Sequence, residues 1–498
     1  MTTELTVHTR PAGGVAAMAW RPVWVVAAVA AVVHLAVATR YGWHRDEFYY
    51  VVAGRHLAWG YVDQPPLTPL LARLAADLPG GVLPLRVLAV AAQIACMVLA
   101  AKLAAEFGGR RRAQILTAAA VAACPLFVGS AFLFGTTVVD QVLWVALFVL
   151  VARALRLGTT RSWLAVGLTA GVGLENKDTV AVLLLGVAAA LVLLRRDVLR
   201  TPGPWLAGVV AVALGLPNVI WNAMHGWPQL QMAGLLSAEQ GGTLGSLAEF
   251  PALPLVFAGP PLTLLWLCGA RWLGSAAGRE HRWMLVVAVV AAVVFTASGG
   301  KFYYAGAVLA GLFAAGAVRV EISGGARGRT GWPVAVAVSG ALAVLVWLPV
   351  LPVGVANTLR PVSPFILETY GWPQFVDQVT GVAATLPADT TIFASNYGEA
   401  GALTILGPAA GLHNMVASGQ NAYGDWGPPP GTPGTVLCVG TWSADELRQY
   451  WSQVRAIAPI TLPEHIDNEE LSLHATIYLC QGPRGTWARL WPALRHLG

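Results

Sequence analysis

Residues 20–50 read WRPVWVVAAVAAVVHLAVATRYGWHRDEFYY. The run from Trp20 to Thr39 is almost wholly apolar and has the length of a bilayer span, about 20 helical residues. It empties directly into His44, Arg45, Asp46 and Glu47, interleaved with Tyr41, Trp43, Phe48, Tyr49 and Tyr50. A span followed at once by charge and aromatic rings predicts a membrane protein whose chemistry sits at the membrane surface.

The remaining sequence agrees. Of 498 residues, 56% are hydrophobic and 11% charged, whereas soluble domains carry roughly 25% charged residues. That excludes a soluble enzyme and a disordered or collagen-like chain. The net charge of +6 reads as loop charge facing the cytoplasm, so no nucleic-acid partner is expected. Spans are predicted near 20–39, 83–102, 113–130, 138–153, 162–175, 178–194, 204–222, 250–270, 282–298, 302–318 and 332–352, eleven in all. With a cytoplasmic N-terminus, the inner segments hold eighteen Arg and Lys, from Arg10 and Arg21 to Arg327 and Arg329, and the outer loops before residue 353 hold seven. This asymmetry fits the positive-inside rule and puts the C-terminal segment outside the cytoplasm. Ala36-Val37-Ala38 resembles a signal-peptidase site, but the tail before it is long and the apolar run exceeds a usual signal core, so an uncleaved span is expected.

Two regions stand apart from the spans. One is the long first outer loop, 40–82. The other is residues 353–498, where strand-like runs at 391–395, 435–439 and 475–480 alternate with helical patterns at 371–385, 398–406 and 442–456. The fold class expected is therefore a polytopic α-helical membrane domain, 1–352, with an extracytoplasmic α/β domain, 353–498. Cys438 and Cys480 each fall in a predicted strand and are either a disulfide or two buried thiols. No Walker A, GxGxxG or HExxH pattern occurs, nor any Cys/His spacing that would hold a metal.

Chemistry concentrates in four places. The first loop continues through Arg55, His56 and Gly60-Tyr61-Val62-Asp63-Gln64-Pro65-Pro66-Leu67. It is either an interfacial aromatic belt with snorkelling charges or a partly dry cleft, with Asp46 or Glu47 as general base and His44, Asp63 and Gln64 lining it. Asp140 lies just inside the outer end of a span; an acid there is functional by default, or else serves a helix N-terminus. Only three lysines occur, and two of them, Lys177 and Lys301, fall in outer turns: Glu175-Asn176-Lys177-Asp178 and Gly299-Gly300-Lys301-Phe302-Tyr303-Tyr304. An ammonium is a compact point charge suited to phosphate; the other reading is headgroup anchoring or pairing with Glu175 or Asp178. Acids, cations and rings at an outer membrane surface fit a sugar carried on a polyprenyl phosphate. A transporter or flippase of anionic solutes is the alternative.

These residues, in this order, resemble a family. Arg45-Asp46-Glu47-Phe48-Tyr49-Tyr50, Gly60 to Leu67, Asp140, Leu174-Glu175-Asn176-Lys177 and Gly300 to Tyr304 are followed by Asn396-Tyr397-Gly398-Glu399, Ser418-Gly419-Gln420-Asn421 and Trp426-Gly427-Pro428-Pro429. The set is similar to the bacterial dolichyl-phosphate-mannose–protein mannosyltransferase-like and aminoarabinose transferase-like enzymes of the glycosyltransferase C superfamily. The resemblance implies a polyprenyl-phosphate-sugar donor and an acceptor lipid, protein or polysaccharide, with membrane lipids around the enzyme. Asp46, Glu47 and Asp140 are the catalytic candidates. Arg45, Lys177, Lys301, Tyr303 and Tyr304 would serve the donor phosphate. His44, Asp63, Gln64, Asn396, Tyr397 and Glu399 would line the cleft or select the acceptor. The chain departs from the aminoarabinose transferase pattern at Gln64, where a lysine is expected, which removes one phosphate cation. No cofactor is firmly implied; a divalent cation is left open.

Overall fold

The structure, a computed structural model, describes residues 15–498 except 250–252, 325, 464, 465, 467 and 469–474. Arg10 and the first residues of the stretch 250–270 therefore lie outside the described residues, as do the side chains of Arg327 and Arg329. Each predicted apolar stretch is largely helical where it is described, with breaks at Cys124 and at 258–259 and an end at Trp347 rather than 352. Helix α1 is Trp20–Val37. The first loop adds two helices the apolar pattern did not announce, α2 (Arg45–Arg55) and α3 (Leu67–Ala76). There follow α4 (Leu83–Glu106), α5 (Arg111–Ala123), α6 (Pro125–Phe132), α7 (Thr136–Leu157), α8 (Thr160–Leu174), α9 (Thr179–Leu194) and α10 (Pro202–Met224). After α11 (Pro228–Glu239) and α12 (Gly242–Glu249) come α13 (Pro260–Gly274), α14 (Trp283–Ala297), α15 (Val308–Ser323) and α16 (Ala326–Trp347).

Four of these helices, α1, α4, α7 and α10, are long and apolar enough to cross a membrane, and the bent pair α5–α6 would make a fifth. The pair bends by 58° at a definite chemical cause. Cys124 precedes Pro125, whose ring disfavours the helical region for the residue before it, and Cys124 is extended at φ −77°, ψ 123°.

The C-terminal region carries α17 (Val353–Asn357), α18 (Trp372–Ala383), β1 (Thr391–Ala394), α19 (Tyr397–Leu406), β2 (Val416–Ser418), α20 (Asn421–Asp425), β3 (Val436–Gly440), α21 (Ala444–Arg448), β4 (Trp451–Pro459), β5 (Thr476–Pro483) and α22 (Trp487–Leu494). The sheet order is β2-β1-β3-β5-β4. β1 is parallel to β2 and β3, and β5 is antiparallel to β3 and β4. The helix expected over 442–456 is corrected: it stops at Arg448 and the chain turns into β4. β4 is an edge strand with most side chains exposed, so it lacks the apolar run that betrays a central strand such as β3, which is buried throughout. Cys438 and Cys480 are buried free thiols on neighbouring strands.

The sheet region is seated on the first loop through α19, which lies along α2. A Cβ at Gly401 would stand 2.6 Å from the Phe48 Cβ, and one at Gly398 would stand 2.8 Å from that of Arg45, so the two backbones approach only because both positions are glycine. Phe48 is fully buried, stacked on Trp43 at 5.1 Å and edge-on to Trp372 at 5.7 Å. The carboxyl ends of the parallel strands β1 and β2 thus open toward α2, the end of such strands at which open α/β sheets form crevices.

Candidate active site

The first turn of α2 sorts its two acids. His44 is the N-cap; its ring accepts the Asp46 N–H at 3.2 Å, and the Glu47 side chain accepts the His44 N–H at 3.0 Å. His44 Nδ1 also lies 3.7 Å from Asp46 Oδ2; burial, the dominant influence, lowers the His44 pKa, and the charge of Asp46 opposes it. Glu47 is fully buried and committed. Its Oε1 lies 2.6 Å from Arg86 Nε and accepts the Phe134 N–H at 3.1 Å, and its Oε2 accepts Arg86 Nη2 at 2.8 Å. Arg86 completes its set on the carbonyls of Phe132 (2.7 Å) and Gly42 (3.1 Å) and lies over the Phe132 ring. This pair ties α2, α4 and the α6–α7 turn together.

Asp46, one residue earlier, points the other way. Its side chain is 40% exposed. Oδ1 accepts the Tyr397 hydroxyl at 2.8 Å and lies 3.8 Å from Arg45 Nε. Burial pushes its pKa up, but the charges and bonds of His44, Arg45, Tyr397 and Lys301 outweigh this and hold it below the usual carboxylate value. Arg45 also sits 5.7 Å from the Tyr397 ring centre.

A second group forms behind the first. Lys177 lies in the α8–α9 turn, which Asn176 holds: this fully buried amide donates to the Thr136 carbonyl at 3.1 Å and accepts the Thr68 hydroxyl at 2.8 Å. Lys177 Nζ donates to Thr137 Oγ1 at 3.2 Å and stands 4.6 Å from the Tyr304 ring centre. Burial, first, and the charge of Lys301 lower its pKa, while Asp140 opposes both. Asp140 is buried; one oxygen accepts the Thr179 hydroxyl at 2.8 Å, and the other has no hydrogen-bond partner among the described residues. Tyr303 and Tyr304 meet edge to face at 5.0 Å, between the lysine turn and the region of Lys301.

The acceptor-side candidates are spread along the seam between α2 and the sheet. Asp63 Oδ1 accepts the Tyr49 hydroxyl at 3.0 Å, and that hydroxyl also accepts the Ala422 N–H at 3.3 Å. Burial raises the Asp63 pKa to about 7, with Asp46 and Asp425 adding to it against the Tyr49 bond. Gln64 is buried, and neither end of its amide has a partner among the described residues. Asn396 caps α19 by accepting the Glu399 N–H at 2.8 Å. Glu399 is fully buried; its Oε2 accepts the Ser395 hydroxyl at 2.8 Å and the Ser395 N–H at 3.0 Å. Burial, opposed by the Ser395 and Asn396 bonds, raises its pKa to about 8. Among the described residues, no group of three or more His, Cys, Asp or Glu is placed to hold a metal ion. Sequence reasoning did not single out Arg86, Asn176 or Tyr49. Only Arg86 left a signal, as an arginine inside an apolar run.

Residues 63–221 match the dolichyl-phosphate-mannose-protein mannosyltransferase family. The whole chain is similar in structure to ArnT from Cupriavidus metallidurans bound to undecaprenyl phosphate, at a TM-score of 0.62 and 14% identity, covering 92% of this chain and 97% of that one. The chain shares the fold of that protein. The apo form of the same ArnT matches at a TM-score of 0.59 and 12% identity with equal coverage. No curated protein sequence matches the chain. The resemblance read from the motif order is thus borne out, in sequence over residues 63–221 and in fold over nearly the whole length.

Proposed function

We propose that the chain is an integral-membrane glycosyltransferase that moves a sugar from a polyprenyl-phosphate donor to an acceptor outside the cytoplasm, with inversion. The observation that carries this reading is Asp46, a partly exposed carboxylate bonded to Tyr397, whose pKa is lowered by neighbours that include Lys301. As the acceptor hydroxyl attacks C1 of the sugar, Asp46 takes its proton. The bond from C1 to the phosphate oxygen breaks with its electron pair on the phosphate, and Lys301 and Lys177 offset that charge. Phosphate leaves readily, so no strong general acid is required. Asp140 keeps Lys177 charged and in place, and Tyr303 and Tyr304 wall the donor. Arg45 steadies Asp46 and Tyr397. His44, Asp63, Gln64 and Asn396 belong to the acceptor side. Glu47 and Glu399 we assign to anchoring the two helix starts rather than to chemistry: both Glu47 oxygens are engaged in the fold, and Glu399 Oε2 holds Ser395.

The same reading takes residues 1–352 as an eleven-span domain with a cytoplasmic N-terminus and 353–498 as its outer domain. Its support is the distribution of basic residues and the fold shared with a protein that binds undecaprenyl phosphate. The test is purified protein in detergent with a polyprenyl-phosphate-linked sugar and cell-envelope acceptors. Consumption of donor with appearance of glycosylated acceptor is expected. Donor binding without turnover, together with movement of the lipid across vesicles, would replace the enzyme with a flippase.

A further inference from the structure

A second cavity lies far from Asp46, at the other end of the bundle. α15 begins at Val308, beside Tyr304, and ends at Ser323; its 16 residues span roughly 24 Å at 1.5 Å each. The cavity opens at that far end, between α5, α15 and α16, and has a volume of about 500 Å³, the size of a small-molecule site. Its lining is mostly apolar, with Ile115 and Ala119 from α5, Val320 from α15 and Val336 from α16, and Arg112, Glu321 and Trp332 complete it. From Arg112 to Ala119 is two turns of helix, so an elongated apolar tail could lie along the wall while its head stays at the charged rim.

The charges at the rim decide what enters. Arg110, Arg111 and Arg112 are consecutive and exposed, and none makes an ion pair among the described residues. The nearest acid, Glu321, is spent on backbone: it accepts the N–H groups of Arg110 (2.6 Å), Arg112 (3.0 Å) and Ala113 (3.2 Å) at the start of α5. It caps the helix and leaves three guanidinium groups facing outward. Guanidinium is the fork that matches phosphate, and an indole at the boundary suits the headgroup level. We propose that this cavity binds one anionic phospholipid of the leaflet opposite the candidate active site, its acyl chain between α5, α15 and α16 and its phosphate on the Arg110–Arg112 rim. The inference rests on the chain spanning a membrane and not on glycosyl transfer.

Native mass spectrometry of the full chain in detergent, with equal amounts of phosphatidylglycerol and phosphatidylcholine of identical acyl chains, tests it. One retained phosphatidylglycerol is expected, favoured at least fivefold over phosphatidylcholine. R112Q should reduce that preference, and R110Q/R111Q/R112Q should abolish it. A119F, which fills the groove without touching the rim, should lower retention of both lipids. Thermal melting of each variant in detergent identifies any that fails to fold, and R112Q, at an exposed position, keeps the test decisive. A wild-type protein with no preference, or a folded triple variant that keeps it, overturns the proposal. Donor turnover is measured separately and should be unchanged in R112Q.

Discussion

Helices α2 and α19 begin with the same device and meet at their first turns. Each opens with a capping box: His44 with Glu47 in one, Asn396 with Glu399 in the other. Each glutamate sits three residues after its cap and is fully buried. Their neighbours differ. Glu47 is given Arg86, and the result is a charged tie across three elements. Glu399 has only Ser395 and backbone N–H groups, and burial leaves it near neutral, with a pKa of about 8. One motif thus yields an ion pair on one side of the seam and a nearly uncharged clasp on the other. Between them, the partly exposed second residue of α2, Asp46, meets the first residue of α19, Tyr397.

The sharpest break of this comparison is Asp46→Asn. It should lower transfer by roughly 10²–10⁴ while donor binding persists, as loss of a general base does; radiolabelled donor turnover and donor binding are read side by side. Glu47→Gln should instead fail as a protein. Removing one partner of a buried pair costs about 3–5 kcal/mol, seen as loss of monodisperse material and a lower melting temperature, and Glu47→Gln with Arg86→Met should recover part of it. If Glu47→Gln is stable but inactive, Glu47 is catalytic and the contrast fails.

Lys177→Ala and Lys301→Ala should raise the donor concentration needed for half-maximal rate by about tenfold or more, with the acceptor dependence little changed, since each removes a charge-assisted phosphate contact. Tyr397→Phe should slow turnover by about tenfold. It also takes away a bond that lowers the Asp46 pKa, so the acid limb of the pH–rate profile should move to higher pH. A merely structural role for Tyr397 would leave that limb in place.

The smallest effect belongs to Glu399. Its folded pKa is about 8, above the ordinary value of 4.5, so the folded state holds the proton more tightly than the unfolded chain. Its contribution to stability is complete below about pH 4.5 and is lost as pH rises toward 8. Glu399→Gln should flatten that part of the melting-temperature profile and change little else. An unchanged slope would place a cation beside Glu399.

Much of this was readable in advance. The apolar runs predict the bundle helices because burial in lipid demands continuous apolarity. β1, β3 and β5 were legible for a similar reason: strands inside a sheet read as apolar runs. β2, with three residues, was too short to read, and β4 hid as an edge strand. At the site, Asp46, Asp140, Lys177 and Lys301 stood out as charges where charge is costly. Glu47 and Glu399 stood out equally, because a capping glutamate and a catalytic one are the same residue type. Only the position of Arg86, 39 residues along the chain, separates them, and nothing local in the sequence announces that contact.

The bond between Tyr397 and Asp46 joins residues 351 positions apart. A ribosome adding roughly 5–20 residues per second completes α2 about 20–70 s before Tyr397 is made. For most of that interval Phe48 lacks Trp372, which it meets in the finished protein, and throughout it Asp46 lacks the Tyr397 hydroxyl. The contact between α2 and α19 can therefore form only when nearly four-fifths of the chain has been made.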